Sequence, residues 1–155
     1  MAPPFKRILL ADADATAAMA GHIAMALGAG DTLLLQGDIG AGKTTFARAL
    51  IRARLKSPKE DVPSPTFTLV QTYDTGDLEI WHCDLYRLTD PQEVLELGLD
   101  DAFIGAICLI EWPDRLGPDL PTDALLCHFS AQTDHHVLTL SGSARWQDLL
   151  GDLHV

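Results

Sequence analysis

The segment that most constrains this chain is Gly37-Asp38-Ile39-Gly40-Ala41-Gly42-Lys43-Thr44, which satisfies G-x-x-x-x-G-K-[ST] at every fixed position. With this chain's own residue frequencies, a chance match is expected roughly once in 400 such chains. Glycines let successive backbone N–H groups turn inward around phosphate oxygens with no Cβ in the way. A helix starting after Gly42 adds the positive end of its dipole. In such a loop Lys43 reaches the outer phosphates, and the Thr44 hydroxyl binds Mg²⁺. The flanks agree: Leu33-Leu34-Leu35 reads as a buried parallel strand, and residues 43–55 as a helix with Phe46, Leu50 and Ala53 on one face. The pattern therefore implies binding of a nucleoside triphosphate.

The rest of the chain narrows the setting. Its 155 residues are expected to form one domain, and 11 basic against 22 acidic residues give a net charge of −11. That balance argues against a free-standing protein that binds nucleic acid by neutralising phosphates. No apolar run approaches the ~18 residues of a spanning helix, and Met1-Ala2-Pro3-Pro4-Phe5-Lys6-Arg7 has no apolar signal core. The expectation is a cytoplasmic protein that does not engage a membrane. Cys83, Cys108 and Cys127 are widely spaced, which suits reduced, structural thiols.

Further elements follow from punctuation and periodicity. An apolar run at residues 8–10 precedes an Ala-rich helix over residues 16–27, with Asp12 or Asp14 available as its cap. Residues 66–72 and 78–84 are rich in β-formers and flank a turn at Asp74-Thr75-Gly76-Asp77. Asp90-Pro91 opens a helix through Leu97. Residues 106–110 read as a second central strand, residues 122–130 and 136–141 as a late antiparallel pair, and residues 143–150 as a closing helix. The order implies an α/β fold of the P-loop NTPase type, with a mixed, mostly parallel central sheet flanked by helices.

A phosphate loop needs an acid at the end of a neighbouring strand to hold Mg²⁺ or its waters. Glu111 ends the apolar run at residues 106–110, and Asp84 ends the more mixed run Leu78-Glu79-Ile80-Trp81-His82-Cys83. His82 shares a strand face with Asp84 and reads as a buried structural histidine more readily than as a catalytic one. Cys83 points the other way, and Trp81, Phe103 and Trp146 read as packing residues.

Four blocks in series then resemble a known family. They are Gly37 through Phe46, Ser64-Pro65-Thr66-Phe67-Thr68-Leu69-Val70, His82-Cys83-Asp84-Leu85-Tyr86-Arg87-Leu88, and Ile107-Cys108-Leu109-Ile110-Glu111-Trp112-Pro113. The set is similar to the TsaE (YjeE) family of small bacterial ATPases of the tRNA threonylcarbamoyladenosine pathway. The resemblance implies ATP and Mg²⁺ as ligands and an accessory role beside TsaD and TsaB, which place threonylcarbamoyl on adenosine 37. It implies contact with tRNA only through that complex. It also implies that Thr66 senses the γ-phosphate from a switch-like loop, that Asp84 and Glu111 serve the metal and the attacking water, and that Trp112 lies near the nucleotide. By the same resemblance Thr16 lies near the base, and Asp38, Ile39, Gly40, Ala41, Gly42, Lys43, Thr44 and Thr45 form the nucleotide cradle. One departure is His135-His136, where the family often carries a basic pair. If that pair contacts the nucleotide, as through His135, the contact is either weaker than one through a guanidinium or dependent on pH.

Two rival activities have weaker support. A small-molecule P-loop kinase clamps the transferred group with arginines from a lid, yet only Arg87, Arg115 and Arg145 follow residue 54, and they do not cluster. A GTPase switch lacks its guanine-reading Asn-Lys-x-Asp. A module that holds ATP without turnover is a further alternative. Finally, six of the eleven bases lie between Lys43 and Lys59, whereas residues 60–155 hold 18 acids and three bases. The stripe of Arg48, Arg52, Lys56 and Lys59 is either a solvated helix face or a docking surface for an acidic partner or tRNA.

Overall fold

In the computed structural model, residues 3–153 are described; Met1, Ala2, His154 and Val155 lie outside the described residues, and with them the first part of the N-terminal run discussed above. Strand β1 (Pro4–Leu10) leads into helix α1 (Ala13–Ala26). Asp12 caps that helix, its Oδ1 accepting the Ala15 N–H at 2.8 Å. Strand β2 (Thr32–Gln36) runs into the glycine loop, and α2 (Lys43–Leu55) emerges from it with the bounds expected from sequence. A hairpin of β3 (Val70–Asp74) and β4 (Glu79–Asp84) follows, then the short helices α3 (Gln92–Leu95) and α4 (Leu99–Gly105). Strand β5 (Ile107–Glu111), a 3-10 segment (Pro113–Asp119), the pair β6 (Leu125–Ala131) and β7 (His136–Ser141), and α5 (Ala144–Leu150) complete the chain.

The strands form one mixed sheet in the order β1-β7-β6-β2-β5-β4-β3. The parallel pairings β6·β2, β2·β5 and β5·β4 occupy its middle, and the antiparallel pairings β1·β7, β7·β6 and β4·β3 its flanks. The single α/β layer flanked by helices is thus borne out, with the pairings divided evenly between parallel and antiparallel.

Period-two alternation sorts the central strands between two cores. Leu33 and Leu35 of β2, with Ile107 and Leu109 of β5, face α1, α2 and α5, whose Met19, Ile23, Phe46, Leu50 and Trp146 are fully buried. Cys108 and Ile110 of β5 face the other way, against Leu85, Val94, Leu99 and Leu116. Both faces of β5 are covered, which is why its sequence is an unbroken apolar run. Burial pushes the Cys108 thiol up to about 12, and raises Cys83 and Cys127 as well, in keeping with inert structural thiols. Arg54 ties α2 to the end of α1 by donating to the carbonyls of Ala24 (2.7 Å) and Leu27 (2.6 Å). It is therefore a structural clamp. Among the described residues, no helix is long and apolar enough to cross a membrane.

One element departs from expectation. Residues 66–69 form a turn, and the strand expected over residues 66–72 begins only at Val70. Leu69 sits in the left-handed region (φ 69°), and its N–H closes onto the Pro65 carbonyl at 2.8 Å. This local hydrogen bond outweighs the β-propensity of Thr66 and Phe67 and releases the Thr66 side chain from sheet alternation. The helix expected through Leu97 is likewise shorter, reduced to the single turn of α3.

Candidate functional site

β2, β4 and β5 run parallel, so their carboxyl ends open on one edge of the sheet beside the start of α2. Between Gln36 and Lys43 the chain must turn sharply twice. Gly37 (φ 145°) lies so close to the Phe129 carbonyl that a Cβ would collide with it, and Gly42 (φ 110°) opens α2 in the left-handed region. Only glycine meets both demands without strain. No side chain caps α2, which leaves its first-turn N–H groups facing the cleft.

The cleft is about 400 Å³ and is walled by Ile39, Gly40, Gly42, Lys43, Thr44 and Thr45 from the loop and helix. Ser64, Thr66, Asp84, Tyr86, Arg87, Glu111, Trp112 and His136 complete it. Asp84 and Glu111, 27 positions apart in sequence, are register partners at the ends of β4 and β5. Each holds a hydroxyl. Thr44 Oγ1 donates to Glu111 Oε1 at 2.9 Å, and Thr66 Oγ1 donates to Asp84 Oδ2 at 3.1 Å. Because the Thr66 proton is committed to Asp84, Ser64 Oγ is the donor in the 2.8 Å contact between the two hydroxyls. Asp84 Oδ1 also accepts the Tyr86 N–H at 3.0 Å, which pins the carboxylate at the strand end.

Lys43 is buried, donates to the Gly37 carbonyl, and lies 3.4 Å over the Trp112 ring. Burial lowers its pKa from the usual lysine value, while Glu111 and Asp84 pull in the opposite direction. Trp112 follows Glu111 in a left-handed conformation (φ 59°, ψ 54°), which swings its ring back beneath the ammonium and against Tyr86, centroid to centroid 5.0 Å. A non-glycine residue held there is strained by about 1–3 kcal/mol, a cost found where geometry serves a site.

Not every residue chosen from sequence reaches this cleft. The Asp38 side chain is exposed and borders a separate shallow cavity with Trp112 and Asp114, and Ala41 is packed in the core. Thr16 and His135 lie on an adjoining cavity of about 280 Å³, which shares Gly42, Thr45 and His136 with the cleft. Thr16 Oγ1 donates to the Asp12 carbonyl at 3.2 Å, and His135 Nδ1 to Asp134 Oδ1 at 2.7 Å. Of the two adjacent histidines, His136 borders both cavities, which makes it the one nearer the phosphate loop.

His82, which reads from the sequence as a buried structural histidine, is fully buried, and its Nε2 lies 2.7 Å from Glu111 Oε2, so its partner is an acid of the cleft. An ionised carboxylate only accepts, so the ring proton sits on Nε2, while Nδ1 meets no partner among the described residues. His82 and Thr44 therefore grip the two oxygens of Glu111 from opposite sides. The signal was present in the His82-x-Asp84 alternation, but its cross-strand partner was not visible in the sequence. Tyr86 and Arg87 also reach the cleft, and both lie in the same short block.

This donor set fits a nucleotide-bound divalent ion. Among the described residues, no three His, Cys, Asp or Glu side chains converge as a resident metal site. One hydroxyl and two carboxylates beside an anion cradle are what Mg²⁺ uses when phosphates and water supply its other ligands.

Residues 10–138 match the family model described as threonylcarbamoyl adenosine biosynthesis protein TsaE. A curated relative from Rickettsia felis, named tRNA threonylcarbamoyladenosine biosynthesis protein TsaE, is 42% identical over 107 residues, which cover 69% of this chain and 62% of the relative. One of the same name from Bacillus subtilis is 43% identical over 97 residues, covering 62% and 59%. The chain thus spans about three fifths of the length of these curated relatives. The crystal structure of Bacillus subtilis YdiB superposes with a TM-score of 0.78 at 29% identity, over 98% of this chain and 95% of that one.

Proposed function

The chain belongs to the TsaE family, and from that premise we propose that it acts in tRNA threonylcarbamoyladenosine biosynthesis as a P-loop ATPase. In this reading it assists TsaD and TsaB in the cytoplasm and does not itself transfer the threonylcarbamoyl group. The observation that carries the ATPase reading is the contact between Thr44, on the first turn after the phosphate loop, and Glu111, at the end of the central strand. It joins the two parts a Mg²⁺–nucleotide site requires.

The start of α2 and Lys43 bind the phosphates. Thr44, Glu111 and Asp84 would hold Mg²⁺, which when bound neutralises charge on the outer phosphates. Thr66 and Ser64 stand on the far wall, where the terminal phosphate would lie. Asp84, bonded to Thr66 and in register with Glu111, would orient the attacking water and accept its proton at a carboxylate oxygen. Trp112 and Tyr86 keep bulk water from one side of the phosphates. Thr16, Thr45 and His136 line the extension of the cleft available to ribose and base.

The test is phosphate release from γ-labelled ATP by the protein alone and with TsaB and TsaD added. Release of inorganic phosphate, faster with the partners, is the expected result. Label on a small-molecule acceptor would point to a kinase, and absence of turnover under all conditions would rule out an ATPase.

A further inference from the structure

Two arginines on the basic face of α2 are engaged with the chain itself. Arg48, one turn beyond Thr44, donates from Nε to the Val62 carbonyl at 3.0 Å, and Arg52, a turn further, to the Glu60 carbonyl at 2.9 Å. Both acceptors lie on the loop that carries Ser64 and Thr66. Val62 is also fixed by its side chain, which is 2% exposed in the core against α2.

From this anchor the chain runs Pro63-Ser64-Pro65-Thr66. Each proline locks its own φ and restricts the residue before it, so few soft dihedrals separate Val62 from Thr66. On the far side, the Leu69 N–H bonds the Pro65 carbonyl, and the Asp84 N–H bonds the Leu69 carbonyl at 3.0 Å. A displacement at Val62 is therefore passed along a stiff segment to the Thr66 hydroxyl. A guanidinium suits the anchor because its charge is permanent and its Nε–H is directional.

We propose that Arg48 is a positioning residue: by holding the Val62 carbonyl it sets where the Thr66 hydroxyl stands against Asp84, with Arg52 as a weaker second tether. The helix that would bind phosphates at its start thus also places the loop facing the terminal phosphate. This rests on the nucleotide reading of the cleft, but the clamp itself can be tested without nucleotide.

The experiment compares wild type, Arg48→Gln and Arg48→Lys. Amide hydrogen exchange at Leu69, whose N–H closes onto the Pro65 carbonyl, is measured first without nucleotide, then the affinities for ADP and a non-hydrolysable ATP analogue with Mg²⁺. In Arg48→Gln, exchange at Leu69 rises about tenfold, as expected for loss of one charge-assisted hydrogen bond. Preference for the triphosphate falls about fivefold through weaker analogue binding, while ADP affinity stays within about twofold. Arg48→Lys, which keeps a charged donor, recovers part of both effects. Unchanged exchange in a folded Arg48→Gln protein overturns the proposal, and so does an equal loss of both nucleotides, which would mark a merely structural arginine. If wild type binds neither nucleotide, the functional reading fails, and the exchange comparison still decides the clamp. Should Arg48→Gln not fold, Arg48→Lys and Arg52→Gln supply the same comparison, with unchanged exchange in both counting against it.

Discussion

The carboxyl ends of β4 and β5 and the β1·β7 flank belong to the same sheet but solve opposite problems. At the strand ends Asp84, Glu111 and His82 are buried together beside Lys43. Along the flank the buried residues are Ile8, Leu10, Val137, Leu138 and Leu140, with Ser141 at the end of β7 as the one polar member, and among the described residues no ionisable side chain of these two strands is buried. Burying charge costs several kcal/mol per ion unless partners repay it, so the strand-end cluster is not there to stabilise the fold. The flank is built of groups whose burial is favourable in itself. Stability and chemistry are thus assigned to different parts of one sheet, and mutations should separate them.

The largest effect is expected at the phosphate loop. Lys43→Ala and Thr44→Ala should each weaken Mg·ATP binding about a hundredfold or more, since each removes a direct contact to phosphate or metal. Calorimetric titration checks this, and near wild-type affinity in both variants would break the assignment. Next come Glu111→Ala and Asp84→Ala. Turnover should fall about 10²–10³-fold, with a smaller change in nucleotide affinity, because acids at the attacking water act mainly in the transition state. Equal losses in binding and turnover would mean they hold ground-state nucleotide only.

The flank should behave in the converse manner. Leu138→Ala should cost about 3 kcal/mol of unfolding free energy, within the usual range for a buried leucine, and leave ATP affinity of the folded protein unchanged. Chemical denaturation paired with titration decides this; a loss of affinity would show that the two regions are coupled. The smallest effect is at His82, where His82→Ala should lower turnover about tenfold by freeing one oxygen of Glu111. His82→Gln, which retains a donor, should restore part of that loss. If both variants lose stability in proportion to turnover, His82 belongs with the core.

Sequence alone determined the phosphate loop, the strand before it, the bounds of α2 and the two acids at strand ends. These features depend on local backbone geometry, apolar run length and helix periodicity, all written within a few consecutive residues. The roles proposed for them at a nucleotide rest on the same local pattern, since spacing within such a loop is itself the chemistry. Only the tertiary structure decided what lay across the chain. β1 closes the sheet edge against β7, more than a hundred positions away. Residues 66–69 turn because a backbone hydrogen bond and a left-handed Leu69 override propensity. His82 proved to hold Glu111 from a neighbouring strand, and two arginines of a stripe that read as either a solvated face or a docking surface proved to hold loop carbonyls. A carbonyl acceptor carries no side-chain signature, and cross-strand register is set by packing of the whole sheet. Contacts of that kind come into existence only when the chain has folded.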